Sequence, residues 1–129
     1  MNEEPIITPS SLIKALLKEE VADLRLKKRA IIFPERTLFS DAIRLLGARE
    51  NSFFSPIRKI FDVPETQTHL LLSFPSGPNI AISLEELNAF GVKETVLIGL
   101  CGSIVDNLRP GDILVCQGGI SDEGTSKHY

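Results

Sequence analysis

The chain has no tryptophan, one methionine, one tyrosine, two cysteines and two histidines in 129 residues. Cys101 and Cys116 are too few and too far apart for a disulfide framework or a zinc site. His69 and His128 stand without a companion cluster of Asp, Glu or Cys, so the expected metal ligands are none. No apolar run approaches the ~18 residues of a membrane span, which argues against a membrane partner. Positive charge is also scarce. Fourteen Lys and Arg face 17 Asp and Glu, a net charge of −3. Beyond residue 65 the only basic residues are Lys93, Arg109 and Lys127, against seven acids. A chain with so weak a basic field is not expected to bind nucleic acid. The short basic run Arg25, Lys27, Lys28, Arg29 suits a solvated helix end. The opening Met1-Asn2-Glu3-Glu4-Pro5 lacks the basic then apolar pattern of a signal peptide, so cytoplasm is the expected location.

Hydrophobic residues make up 43% of the chain and charged residues 24%, ordinary values for a globular protein. The length fits about one domain. Residues 1–9, with Pro5 and Pro9, read as an extended arm, and residues 10–129 as a partial α/β domain. Ser10 or Ser11 can cap a helix running to about Lys28, with Leu12, Ile13, Leu16, Leu17, Val21 and Leu24 at helical spacing. Residues 30–33 form an apolar run stopped by Pro34, as in a buried strand. A second helix is expected from Thr37 or Ser40 to Gly47. Residues 58–63 suit an edge strand and 64–68 a turn. Residues 69–74 form a second apolar strand, 80–90 a helix ended by Gly91, and 94–99 a third buried strand. Residues 113–116 predict a further strand. From Gln117 to Tyr129 no further element is expected.

Apolar strands alternating with helices predict an α/β fold, with a mostly parallel or mixed sheet flanked by helices. Three helices are few for two faces of such a sheet, and nothing follows the last strand to cover it. The sheet is therefore expected to be incomplete in this chain or covered by another subunit. In sheets of this kind ligands bind beyond the carboxyl ends of the strands. Two turns fall there: Ser76-Gly77-Pro78-Asn79, and Gly99-Leu100-Cys101-Gly102-Ser103. Glycine permits close backbone approach to a ligand, and a helix N-terminus offers free N–H groups.

These blocks, with Phe90-Gly91-Val92, Pro110-Gly111-Asp112-Ile113-Leu114-Val115 and Asp122-Glu123-Gly124-Thr125-Ser126-Lys127-His128-Tyr129, resemble the purine and uridine phosphorylase superfamily, which includes nucleosidases. The likeness is collinear through residues 70–129. It implies a phosphorylase/hydrolase-like fold with a mixed sheet that curls toward a barrel, dimers to hexamers, and cleavage of a nucleoside N-glycosidic bond with ribosyl transfer to phosphate or water. The partner it implies is a small-molecule nucleoside or base. No organic cofactor follows from it; phosphate enters only as a co-substrate. Gly77, Gly99, Cys101, Gly102 and Ser103 fall on the substrate-binding blocks. Arg36 falls on the early phosphate loop, whose glycine and aspartate are absent here. Leu97 and Leu100 stand where phosphorylases place an arginine and a hydroxyl residue, which speaks against phosphate. No residue of this chain is assigned a catalytic role. Superfamily members are about twice as long. The chain therefore reads as an N-terminal half, acting as a homo-oligomer or with a complementary C-terminal half. The alternative is a non-catalytic nucleoside-binding or oligomerisation module.

Overall fold

The computed structural model describes residues 7–17, 26–52, 54 and 58–129. Its elements are α1 (Pro9–Leu17), β1 (Arg29–Phe33), α2 (Arg36–Leu46), β2 (Arg49–Glu50), β3 (Ile60–Val63), β4 (Thr68–Leu72), α3 (Gly77–Ala89), β5 (Glu94–Leu97) and a 3-10 turn, Thr125–His128. The five strands form one mixed sheet in the order β2-β3-β4-β1-β5. β1 lies between β4 and β5 and runs parallel to both, while β3 is antiparallel to β4 and β2 to β3.

Side chains alternate across a strand, and here each face meets a different layer. Ala30 and Ile32 of β1 and Leu71 of β4 pack with Ile13 of α1 and Leu87 of α3. Phe33 and Leu70 point the other way, to Phe39 of α2 and Val63 of β3. The strands buried on both faces thus read as continuous apolar runs. Phe39 meets Phe61 edge-on, with ring centroids 5.5 Å apart. On the opposite face Phe54 meets Phe90 at 4.7 Å.

Local chemistry sets the helix ends. Glu35 caps α2, its carboxylate accepting the N–H groups of Thr37 and Leu38, both at 2.8 Å. Gly47 closes α2 in the left-handed region at φ 59°, and the Ala48 N–H reaches back to the Ile43 carbonyl. That is the helix-terminating arrangement glycine permits at no steric cost. Pro78 sits in the first turn of α3, where its missing N–H leaves no bond unmade.

Five expectations are corrected. The edge strand expected over 58–63 is β3, which lies inside the sheet between β2 and β4. Of the helix expected over 10–28, α1 ends at Leu17; residues 18–25 lie outside those described, and Leu26 to Lys28 are not helical. Instead the Leu26 N–H bonds the Phe90 carbonyl and the Lys27 N–H bonds the His69 ring. The third strand forms but is not buried. All four residues of β5 are exposed, because it pairs with β1 along one edge and the core clusters stop short of it. Residues 113–116 form no strand, and Ile113 and Val115 are about nine-tenths exposed, unpaired with the free outer edge of β5. The terminal segment expected to be irregular holds the 3-10 turn, which Glu123 organises through its carboxylate. Among the described residues no helix is long and apolar enough to cross a membrane.

Candidate functional site

Three parallel strands place their carboxyl ends on one rim. β1 runs into Pro34-Glu35 and α2, β4 into residues 73–76 and α3, and β5 into residues 98–103. The pairing continues past the strands: the Ser73 N–H bonds the Phe33 carbonyl and the Ile98 N–H the Ile32 carbonyl, each at 2.9 Å. The loops meet closely. A β-carbon on Gly99 would stand 3.0 Å from Pro34 Cγ, so a side chain there would crowd the β1 loop where the β5 loop passes it. A β-carbon on Gly77 would stand 3.1 Å from Glu123 Oε2 and 3.7 Å from Thr125 Oγ1. Gly77 thus leaves room for Glu123 and Thr125 against the start of α3.

Arg36 is the first residue of α2 and its side chain is exposed on this rim. Gly77 opens α3 and Gly99 follows β5, so these three residues share the rim. Cys101 and Gly102 are exposed, Cys101 as a free thiol. Ser103 spends its hydroxyl locally, donating to the Val105 carbonyl at 2.8 Å and accepting the Val105 N–H at 3.1 Å.

Two carboxylates, Glu35 and Glu123, flank the rim. Thr37 and Leu38, the first turn of α2, give their N–H groups to Glu35, and these bonds lower its pKa. The Glu123 carboxylate accepts the N–H groups of Thr125 and Ser126 at 2.7 and 2.8 Å. Hydrogen bonds from the Ser126 side chain and then from these backbone groups bring its pKa down to about 2. The N-terminus of α3 carries no side-chain cap.

Between α3 and β5 the rim opens into a cleft of about 510 Å³, bordered by Ile80, Ala81, Leu84, Glu85, Leu97 and the 3-10 turn. Tyr129 bridges it, its hydroxyl donating to Glu85 Oε1 at 2.6 Å. That bond raises the Tyr129 pKa, keeping the phenol protonated. Glu85, Glu123 and Tyr129 were not expected as site residues, although Glu123 and Tyr129 belong to the 122–129 block that carries the family resemblance.

His69 and Asp62 form a further acid–imidazole pair, Nδ1 to Oδ1 at 2.6 Å, at the opposite end of β4. Its Nε2 accepts the Lys27 N–H at 2.7 Å. Both nitrogens are engaged, so this pair serves the fold and has no free base to offer. Among the described residues no group of three His, Cys, Asp or Glu could hold a metal ion.

No family model matches the chain, and no solved structure matches it. It is 40% identical over 52 residues to guanosine phosphorylase of Halorubrum lacusprofundi, covering 40% of this chain and 22% of that protein. It is 38% identical over 53 residues to uridine phosphorylase of Thermococcus kodakarensis, covering 41% and 19%. Against uridine phosphorylase of Treponema pallidum the identity is 32% over 65 residues, covering 50% and 25%. The matched stretch spans a fifth to a quarter of these relatives.

Proposed function

Because this chain is related in sequence to the purine and uridine phosphorylases over two-fifths to half of its length, we propose that it supplies one side of a nucleoside site at which an N-glycosidic bond is cleaved. Residues 10–129 are the partial domain that carries it. The assembled protein, a homo-oligomer or a pair with a complementary chain in the cytoplasm, does the chemistry. The observation that carries this reading is the single rim shared by the loops after β1, β4 and β5, drawn together where Gly99 passes Pro34. Gly77, Gly99, Cys101, Gly102 and Ser103 are the proposed substrate contacts. Arg36 is the proposed anion contact.

In this reaction the bond from C1′ to the base nitrogen breaks and a bond from C1′ to an oxygen nucleophile forms. The electron pair leaves with the base. Groups that stabilise the cationic sugar and the departing anion lower the barrier. Glu35 and Glu123 place negative charge near the rim, where it favours a sugar becoming cationic and disfavours a phosphate dianion. Leu97 and Leu100 offer phosphate neither charge nor hydrogen bond. Water is accordingly the favoured acceptor, with Arg36 leaving phosphate a single cation. The same leucines and carboxylates favour the second reading, a crevice that binds nucleoside without turnover.

The test is base release from guanosine, inosine and uridine by the purified protein, with whatever chain co-purifies, in the presence and absence of phosphate. The expected result is release that phosphate accelerates less than twofold. Binding by calorimetry without release establishes the second reading. Neither binding nor release rejects both. Release that requires phosphate and is lost in Arg36→Ala reverses the choice of acceptor.

A further inference from the structure

The residues just before β1 are tied down at three successive positions. The Leu26 N–H bonds the Phe90 carbonyl, at the end of α3, at 2.9 Å. The Lys27 N–H bonds His69 Nε2, at the start of β4, at 2.7 Å. The Lys28 carbonyl accepts the N–H groups of Lys93 and Glu94, where β5 begins, at 2.8 and 2.9 Å. The outer two ties join backbone to backbone and are indifferent to pH. The middle tie ends on an imidazole. We infer that His69 is a proton-operated latch: acid releases residues 26–27 from the sheet while β1 and β4 stay paired. The inference goes beyond the nucleoside reading and does not depend on it.

The geometry gives the latch a direction. Neutral His69 carries its proton on Nδ1 and donates it to Asp62 Oδ1 at 2.6 Å, which leaves Nε2 to accept the Lys27 N–H. A proton from solvent therefore adds at Nε2, where it sets N–H against N–H and breaks the tie to Lys27. The bond to Asp62 survives and becomes an ion pair, and Asp62 is itself held by the Asn51 side-chain amide at 3.1 Å. The ring thus stays on the sheet and the strap yields. The surrounding charges act in the same sense. Asp62 on β3 attracts the imidazolium and Lys27 on the strap repels it. On β1 the neighbour of His69 in register is Ala30, which carries no charge. Arg49 on β2 stands opposite Asp62. Arg29 is paired with Glu94 at 2.8 Å, and Arg58, just before β3, with Glu86 of α3 at 2.6 Å. The ring is 2% exposed, so gaining the proton and moving the strap are one equilibrium. The sheet does not depend on the strap for its core, because Phe33 and Leu70 pack on α2 and Leu71 on α3.

The experiment is amide hydrogen exchange of the full chain, residue by residue, at pH 7.5 and pH 5, each rate divided by the free-peptide rate at that pH. In the parent the protection of the Leu26 and Lys27 amides should fall about tenfold or more between the two, as for a hydrogen bond lost beside a charged group. That of Ile32 in β1 and Leu71 in β4 should change less than about threefold. In His69→Gln, which has no proton to gain, all four should change alike. Asp62→Asn keeps an acceptor for Nδ1 and removes the charge that holds the imidazolium, so it should move the release to lower pH. That variant tests the latch even where His69→Gln does not fold. Two results overturn the inference. One is protection at Ile32 and Leu71 falling in step with Lys27, which means that acid melts the sheet as a whole. The other is a fall at Lys27 that is as large in either variant as in the parent.

Discussion

Both nitrogens of the His69 ring are committed, and the commitment fixes its charge. Nε2 accepts the Lys27 N–H, so it carries no proton, and the proton on Nδ1 goes to Asp62. Asp62 is held in turn by the Asn51 side-chain amide at 3.1 Å. Burial, the largest effect, lowers the His69 pKa, opposed by the hydrogen bond and charge of Asp62 and assisted by the charge of Lys27. A histidine whose folded pKa lies below its unfolded value binds fewer protons folded than unfolded as pH falls below about 6.5. Its contribution to stability is therefore complete above that pH and is lost progressively below it. Protonation also turns Nε2 from acceptor to donor against the Lys27 N–H. Denaturant unfolding at pH 7.5 and pH 5 should show the parent losing more stability between the two than His69→Gln. At pH 7.5 the same substitution should cost about 1–3 kcal/mol, from two imperfectly replaced buried hydrogen bonds. Equal losses in parent and variant between the two pH values would rule this titration out.

At the scale of elements, the closest approach is that of the β5 loop to the β1 loop. Gly99→Ala places a methyl group 3.0 Å from Pro34 Cγ, so the proline ring must shift by a few tenths of an ångström to accept it. The expected cost is about 1–2 kcal/mol from overpacking. Gly102→Ala, with nothing within 4 Å of its added carbon, should cost less than about 0.5 kcal/mol. A comparison of the two unfolding midpoints checks this, and equal midpoints would mean the loops are not packed together. The strands and turns that frame this contact were legible in the sequence. Runs such as 30–33 and 69–74 are apolar on both faces because α2 covers one side of β1 and β4 while α1 and α3 cover the other. The end of α2 was legible because Gly47 takes the left-handed conformation that marks a helix terminus. That Gly77 and Gly99 stand on one rim followed from strand–helix alternation, whereas Arg36 was expected there only from the family resemblance. The cleft was not legible. Glu85, Leu97 and Tyr129 come from three elements, and only tertiary packing brings a residue 44 positions away to Glu85. Nor was the exposure of β5. Its sequence carries the pattern of a covered strand, and the pattern records what the strand suits, not what lies over it.

The whole molecule divides into a packed part and an open one. Ile32, Leu70 and Leu71 are wholly buried, whereas Val96, Leu97, Ile104, Ile113, Val115 and Ile120 are about half to fully exposed. Burial is worth roughly 25 cal/mol for each Å² of apolar surface, so this second group is a large unrealised gain. Val96 and Leu97 belong to β5, the edge strand, whose unpaired N–H and C=O groups are themselves a template for another strand. The two parts should therefore differ sharply in local stability. In amide hydrogen exchange of the chain alone, β1 and β4 should be the slowest elements. Residues 99–118 should exchange at or near the free-peptide rate, since local opening there breaks few contacts, whereas the Ile98 N–H is held by the Ile32 carbonyl. Any chain that completes the sheet must then reveal itself by slowing exchange first at β5, whose outer edge it would pair, and next at residues 113–116, whose apolar side chains it would bury. Protection of 99–118 already present in a monomer of verified mass would mean that the segment packs on its own sheet, and that β5 needs no second chain to cover it.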